Sequence, residues 1–459
     1  MALQVRESVL RGEFGTDLTT RVAARLGAAF ARFLHERQPH ATVVVGRDTR
    51  ASGGPLLQHF LGGLSVYPLR ALDAGVVPTP ALLVASSAWS CQAAVMVTAG
   101  RAPVDWNGFK FTLNGLPFDQ ASMKALYEMY KRSPSPRPAR PLLTKRYGEA
   151  ASLHLARVLS HFQLPELEKM DLRVAVDSGR GAAEAPVLGT LAALGAKVFN
   201  VHTVRENKSP ELGLKPLATR VIRSSCHLGV ATGWEGLLLL LIDEKGRRLT
   251  RHQTLALAVR SYLEMQREKA LLVTPNSLSH LVWQTARLHQ AQVQYSGPLN
   301  RDMLSELAGL DPERPALGLD LRGELTWPSV CFSPDSLSTL VLVLRLMAHH
   351  KQPLSELVEE LPPYSSSEGQ VPCAQDLGPT EIMERLATCY QGARISTSAN
   401  LEKRRDAWWI RADLPAGGWV AVQHAFRLPV LDLWAEVPQP ERAETLLEEV
   451  QGLLGFVPV

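Results

Sequence analysis

Residues 41–50 read ATVVVGRDTR, and the reading of this stretch decides the fold. Thr42, Val43, Val44 and Val45 are β-branched in succession, and the run ends at Gly46. An unbroken run suits a strand buried on both faces, since a half-wet sheet would show alternation. Just before it, LTTRVAARLGAAFARFL (18–34) sets Leu18, Val22, Leu26, Phe30 and Phe33 on one helical stripe. Thr16 or Asp17 is placed to cap that helix. Another helix-like stretch follows, then a strand and loop in LDAGVVPTP (72–80). A third strand, AAVMVTAG (93–100), runs into RAPVDWNGFKF (101–111), which reads as a loop. Strand alternating with helix is the pattern of an α/β layer structure.

The same cycle returns twice. KRSPSPRPARP (131–141) is Pro-rich and basic and reads as a linker. After it, LRVAVDSGRGAA (172–183) gives strand, Gly-rich turn and the start of a helix, and KVFNVHTV (197–204) gives a strand. HLGVATGWEGLLLLLIDEKGRRL (227–249) reads as a strand, a loop and a hairpin around Asp243–Gly246. A third cycle from about residue 255 holds LALAVRSYL, ALLVTPN, HLVWQTARLHQA, QVQYSG, ALGLDLRGELTW and the helix SLSTLVLVLRLM. PPYSSSEGQVP (362–372) reads as a second linker. Beyond it come a helix (EIMERLATCY), alternating strands (AWWIRADLP, WVAVQHAF, VLDLWAEV) and a closing helix with Ala443, Leu446, Leu447, Val450 and Leu453 on one stripe. The expected fold class is α/β: three consecutive mixed-sheet α/β domains and a smaller C-terminal α+β domain. The expected boundaries are 1–140, 141–254, 255–366 and 367–459.

Composition limits the function. The 459 residues are 46% hydrophobic and 20% charged, enough to bury real cores. A net charge of +4, with no basic run or stripe, gives no footprint for nucleic acid. Five scattered cysteines with no C-x-x-C point to a reducing compartment rather than a disulfide framework or zinc site. The opening MALQVRESVLRGEF is mixed and polar, and the apolar run Leu237–Ile242 is far too short to span a bilayer. A cytoplasmic protein is expected.

Local motifs name no reaction. Asp177-Ser178-Gly179-Arg180-Gly181 follows a strand and opens a helix, where amides can hold an anion. Two glycines without the full fingerprint read more simply as a tight turn. His35, Glu36 and His40 have the wrong spacing for a helical zinc motif, and Pro39 intervenes. His349–His350 reads as a solvated helix end.

The order of segments is more telling. The quoted stretches include Arg11-Gly12, VVVGRDTRASG (43–53), Gly75 with Pro78-Thr79-Pro80, and Val97-Thr98-Ala99 with Pro103 and Asn107-Gly108-Phe109-Lys110. They continue with VDSGRGAA, LIDEKGR, SLSTL, LSELVEELPPY and WVAV. In this order they resemble the α-D-phosphohexomutases, the phosphomannomutase/phosphoglucomutase family, over almost the whole chain. The resemblance implies four domains around a central cleft. It also implies phosphoryl transfer between O1 and O6 of a hexose, using a phosphoserine, an aspartate-bound magnesium ion, a sugar loop and a phosphate loop.

Each of those four loops departs from the family pattern. Where the nucleophile loop reads T-A-S-H-N-P, this chain has Thr98-Ala99-Gly100-Arg101-Ala102-Pro103, with glycine at the serine position. The metal loop D-G-D-x-D-R is Gly233-Trp234-Glu235-Gly236-Leu237-Leu238, with one carboxylate left. The sugar loop G-E-x-S-G-H is Leu319-Asp320-Leu321-Arg322-Gly323-Glu324, and the phosphate loop R-P-S-G-T-E-P is Gln423-His424-Ala425-Phe426-Arg427-Leu428-Pro429. Arg11 and Lys110 still match an active-site arginine and a lysine linked to acid–base work. Arg47 and Asp48 read as structural pairing at a strand end. Thr98 as a substitute carrier would place its hydroxyl about 6–7 Å back along the strand.

The resemblance therefore implies a degenerate member with no catalytic residue in place and no magnesium. The expected role is binding, scaffolding or regulation in carbohydrate metabolism. Expected partners are a sugar phosphate and an active mutase or other protein subunit, without nucleic acid or membrane. The candidate substrate-binding residues are Arg11, Lys110, Asp320, Arg322, Glu324 and Arg427. An altered phosphosugar enzyme would need Arg101, Glu235, Asp320, Arg322, Glu324 and Arg427 to converge, and plugging by Trp234 and Phe426 would oppose it. A purely structural protein would show exposed apolar surface, for which Trp408–Trp409 is a candidate, although strand-face core is the simpler reading of that pair.

Overall fold

The computed structural model describes residues 3–6, 8–100, 102–133, 143–146, 148–162, 171–201, 214–275, 279–297, 299–320, 323–372, 378–398, 407–425, 430–439 and 441–455. The chain divides into two compact units, Met1–Thr250 with Glu324–Ser355, and Arg251–Gly323 with Glu356–Val459.

The first unit is built on the strand Thr42–Arg47, whose interior residues are all buried. It lies between the parallel strands Arg70–Val76 and Ala93–Val97. The sheet continues through Leu143–Arg146 on one side. On the other side it runs antiparallel through Trp106–Leu113, Val9–Glu13 and Gln4–Arg6. The stretch 101–111, expected as a loop, is therefore a strand from Trp106. Gly108 makes this possible: a Cβ there would stand 2.7 Å from the Leu10 carbonyl and 2.9 Å from that of Thr98. Its apparent turn chemistry serves close strand approach instead.

The helix Thr20–His35 lies on this sheet, with Leu26, Phe30 and Phe33 buried. Its cap is Thr19, whose hydroxyl accepts from Val22 N at 3.2 Å, not Thr16 or Asp17. The amides of Asp17 and Leu18 are already committed to the Glu13 carbonyl in a turn. The helix crosses Gly53–Leu64 at two glycines. A Cβ on Gly27 would sit 2.1 Å from the Phe60 carbonyl, and one on Gly63 equally close to that of Ala24. Backbone touches backbone here, so a methyl group must part the helices. Gly63→Ala is expected to cost about 3 kcal/mol, the upper end for overpacking, read as a lower melting temperature. A melting temperature equal to that of the parent would refute this crossing.

The second sheet pairs Arg173–Asp177 in parallel with Lys197–Asn200 and Leu228–Thr232, and Leu228–Thr232 antiparallel with Leu239–Asp243. The last two strands are wholly buried, as their unbroken apolar runs require. The helix Ser336–His350 belongs to this unit and is buried along most of its length. Asp335 caps it, accepting from Leu337 N at 3.1 Å. The same carboxylate meets His154 Nε2 at 2.9 Å and so ties in the helix Ala150–Phe162.

In the second unit, Leu271–Thr274 pairs in parallel with Gln292–Tyr295 and Ala316–Leu319. A five-stranded antiparallel sheet follows, in the order Ser365–Pro372, Val430–Val437, Trp419–Ala425, Ala407–Asp413, Arg394–Thr397. The segment 362–372, expected as a linker, is thus an edge strand from Ser365. Its alternating exposure reflects one dry and one wet face. Pro379–Cys389 and Arg442–Leu453 contribute Ile382, Leu386, Ala443, Leu446 and Leu447 to the core of this sheet. Trp408 and Trp409 are both buried, at 3% and 5% exposure, so the core reading of that pair is correct. Among the described residues no helix is long and apolar enough to cross a membrane. Four of the five cysteines are described, and all four are free thiols.

Candidate functional site

The loop after the strand Ala93–Val97 is held from beneath by one guanidinium. Arg50 Nη2 donates to the carbonyls of Gly100 (2.8 Å) and Ala102 (3.0 Å), and Nη1 to that of Pro103 (2.7 Å). Its Nε meets Asp48 Oδ2 at 3.1 Å, and both side chains are almost wholly buried. Asp48 also accepts the Thr98 hydroxyl at 2.7 Å. Burial pushes the Asp48 carboxyl above its usual range, against the pull of Arg50 and Thr98. The structural pair at this strand end is therefore Asp48–Arg50, not Asp48–Arg47, because Arg47 turns back onto the Asp48 carbonyl at 3.2 Å. Thr98 is committed too, accepting from Gly100 N at 3.1 Å while donating to Asp48.

Gly100 takes φ +64°, and a Cβ on it would lie 2.9 Å from Glu235 Oε1. The other carboxylate oxygen of Glu235 accepts from Lys110 Nζ at 2.5 Å and from the Thr79 hydroxyl at 3.0 Å. Thr79 N also donates to the Glu235 carbonyl at 3.0 Å. Lys110, Glu235 and Gly100, separate in sequence, thus meet in the first unit. Trp234 lies under the Arg50 guanidinium, 4.5 Å from ring centroid to Cζ. Arg11 stands opposite Gly108 and Lys110 opposite Val9, so the two cations leave the same face of the sheet. Arg11 Nε also reaches Gln4 Oε1 at 3.3 Å. Asn107 of the same motif is buried and structural, donating to Ser52 Oγ at 2.8 Å.

The turn at 177–181 is a tight turn. Gly179 and Arg180 both have positive φ. Gly181 N donates to the Ser178 carbonyl and Ala182 N to that of Trp234, so these amides are already used. A Cβ on Gly181 would meet the Trp234 backbone at 2.9 Å.

The remaining candidates are placed as follows. Asp320 is in the second unit, buried, and accepts from Asn300 Nδ2 at 3.1 Å. Glu324 is buried in the first unit. Gln423 is buried opposite Trp409, and the His424 ring stacks on Trp408 at 5.8 Å. Arg101, Arg322, Phe426 and Arg427 lie outside the described residues. Sequence reasoning missed Thr79 and Arg50 as members of the constellation. The P-T-P and G-R-D-T-R motifs contain them but give no sign of their partners.

Residues 2–137 match the family model described as phosphoglucomutase/phosphomannomutase, alpha/beta/alpha domain I. A phosphoglucomutase/phosphomannomutase of Thermococcus kodakarensis is 26% identical over 451 residues, covering 96% of this chain and 95% of that protein. A phosphoglucosamine mutase of a Mycobacterium species is 29% identical over 367 residues, covering 77% and 80%. The crystal structure of a phosphoglucomutase/phosphomannomutase family protein from Burkholderia thailandensis superposes with a TM-score of 0.80 at 20% identity, covering 98% and 97%.

Proposed function

Since the chain belongs to the α-D-phosphohexomutase superfamily, we propose that it uses this fold for binding or regulation in carbohydrate metabolism, without mutase turnover. One observation carries the reading: Gly100, which the resemblance to the family sets at the position of the phosphoryl-carrying serine, has no side chain, and a carboxylate faces it. Without a hydroxyl there is nothing to accept and return the phosphoryl group, and a nearby carboxylate repels a second anion. The named relatives act as mutases on hexose or hexosamine phosphates, and the class of ligand proposed here is the same. Arg11, on the same face of the sheet as Lys110, supports an affinity for phosphorylated sugar.

The residues do not fit a magnesium ion. Magnesium takes oxygen ligands in octahedral geometry, usually from carboxylates. The loop 233–238 offers one carboxylate, and the Lys110 ammonium already lies against it. A resident cation next to the only acidic ligand replaces the charge that a metal would supply.

The test is a coupled hexose-phosphate mutase assay on protein from a mutase-deficient host. It includes magnesium and a hexose 1,6-bisphosphate, with glucose 1-phosphate and mannose 1-phosphate offered in turn. No turnover above buffer is expected. Turnover that Lys110→Ala abolishes would overturn the proposal.

A further inference from the structure

The loop 233–238 is not an open cup. Its residues join four segments of the first unit. Glu235 takes the Thr79 amide on its carbonyl. Gly236, with φ +76°, has Pro78 2.7 Å from its Cβ position, and its carbonyl accepts both the amide (3.1 Å) and hydroxyl (2.8 Å) of Ser336. Trp234 gives its carbonyl to Ala182 N and its ring to Arg50. At the centre is the Glu235 side chain, 9% exposed, against a Lys110 side chain that is 23% exposed.

Three walls surround that carboxylate, and each suits an anion. Lys110 supplies a full positive charge at 2.5 Å. The Thr79 hydroxyl donates at 3.0 Å. Gly100 supplies a side without a Cβ, and any larger residue would strike Oε1. A cation, a donor and a backbone with no side chain are what a small oxyanion needs in a largely dry place. The chain fills the place with its own carboxylate.

We propose that Glu235 is a resident anion. It occupies a small oxyanion site built by Lys110, Thr79 and Gly100, locks the loop 233–238 to residues 79–110 without any ligand, and keeps free phosphate or a phosphoryl group out. The proposal goes beyond the absence of turnover: it concerns what holds these segments together. Its test reads stability and anion binding, so either proposal can fail without the other.

The experiment uses the full chain as Glu235→Ala and Glu235→Ser. Thermal unfolding is followed with and without sodium phosphate, and with sodium acetate, at ionic strength matched by chloride. Glu235→Ala is expected to melt about 5 °C below the parent. Phosphate or acetate should recover much of that loss, while the parent shows no anion-specific response. Adding Lys110→Met to Glu235→Ala should abolish the recovery. Should Glu235→Ala fail to fold, Glu235→Ser, which vacates the site and leaves a small polar side chain, takes its place, and titration calorimetry on it should show inorganic phosphate binding that the parent lacks. The proposal is overturned if Glu235→Ala melts with the parent, if no variant binds or responds to either anion, or if the response survives Lys110→Met.

Discussion

Gly100→Ser is expected to restore no mutase activity, leaving turnover on the order of 10⁶-fold below that of a covalent catalyst whose nucleophile unit is intact. The missing hydroxyl is only the first obstacle. Gly100 has φ +64°, a conformation that costs an L-residue about 1–2 kcal/mol. The new Cβ would stand 2.9 Å from Glu235 Oε1. That oxygen belongs to a carboxylate held by Lys110 and Thr79, so it cannot swing away without breaking an ion pair. A hydroxyl in that place would donate to the carboxylate and be fixed by it, not freed to attack. Phosphorylating it would bring the phosphoryl group against a like charge. The measurement is the coupled assay on G100S, with intact mass after incubation with a hexose 1,6-bisphosphate and a melting curve. No phosphoenzyme and a lower melting temperature are expected. A stoichiometric phosphoenzyme would show that Glu235 yields the site readily.

The fold was legible where hydrophobic runs were long and unbroken. Val43–Val45, Ala93–Val97, Leu228–Thr232 and Leu239–Ile242 are buried strands, because a strand covered on both faces has no use for polar alternation. Reading failed where composition imitated a loop. Ser365–Pro372 has the Ser, Gly and Pro of a linker, yet it bonds along its length to Val430–Val437 as an edge strand, where polar residues face water. Asn107-Gly108 has the letters of a turn and forms part of an interior strand, since two carbonyls close on the glycine. At the site, setting the sequence beside the family's loops puts glycine in the place of a serine and leaves one carboxylate in the place of three aspartates, a comparison that needs no geometry. It does not show that Glu235 meets Thr79, 156 residues away, or Lys110, 125 residues away. Such contacts are made by packing sheets together, and one sequence carries no period or spacing that encodes them. Asp48 illustrates the same limit at short range: Arg47 and Arg50 are both near in sequence, and only the turn between them decides which guanidinium reaches back.

In the second unit, Glu436→Ala is expected to cost about 3–5 kcal/mol, several unmet hydrogen-bond donors at about 1–3 kcal/mol each less what rearrangement recovers. Glu436 is 1% exposed, on the strand Val430–Val437. Its Oε1 accepts from Ser279 Oγ at 2.8 Å and from Leu281 N at 3.3 Å. Its Oε2 accepts from His280 N at 2.6 Å and from Trp419 Nε1 at 2.9 Å. Two of these donors are amides at the start of the helix His280–Leu288, where a negative charge also meets the positive end of the helix dipole. Removing the carboxylate strands four donors at once, three of them in buried hydrogen bonds, and each unmet buried donor carries its own desolvation penalty. Glu436→Gln separates charge from shape. Whichever way its amide turns, an NH₂ group faces two donors, so this variant should also be destabilised, though less than the alanine variant. Hydrogen exchange over residues 279–288 and 430–437, with Trp419 fluorescence during unfolding, localises the effect. Faster exchange at both segments is expected, in the order parent, Glu436→Gln, Glu436→Ala. Exchange unchanged in the helix would mean that packing between the helix and the sheet holds it and that the carboxylate contributes little.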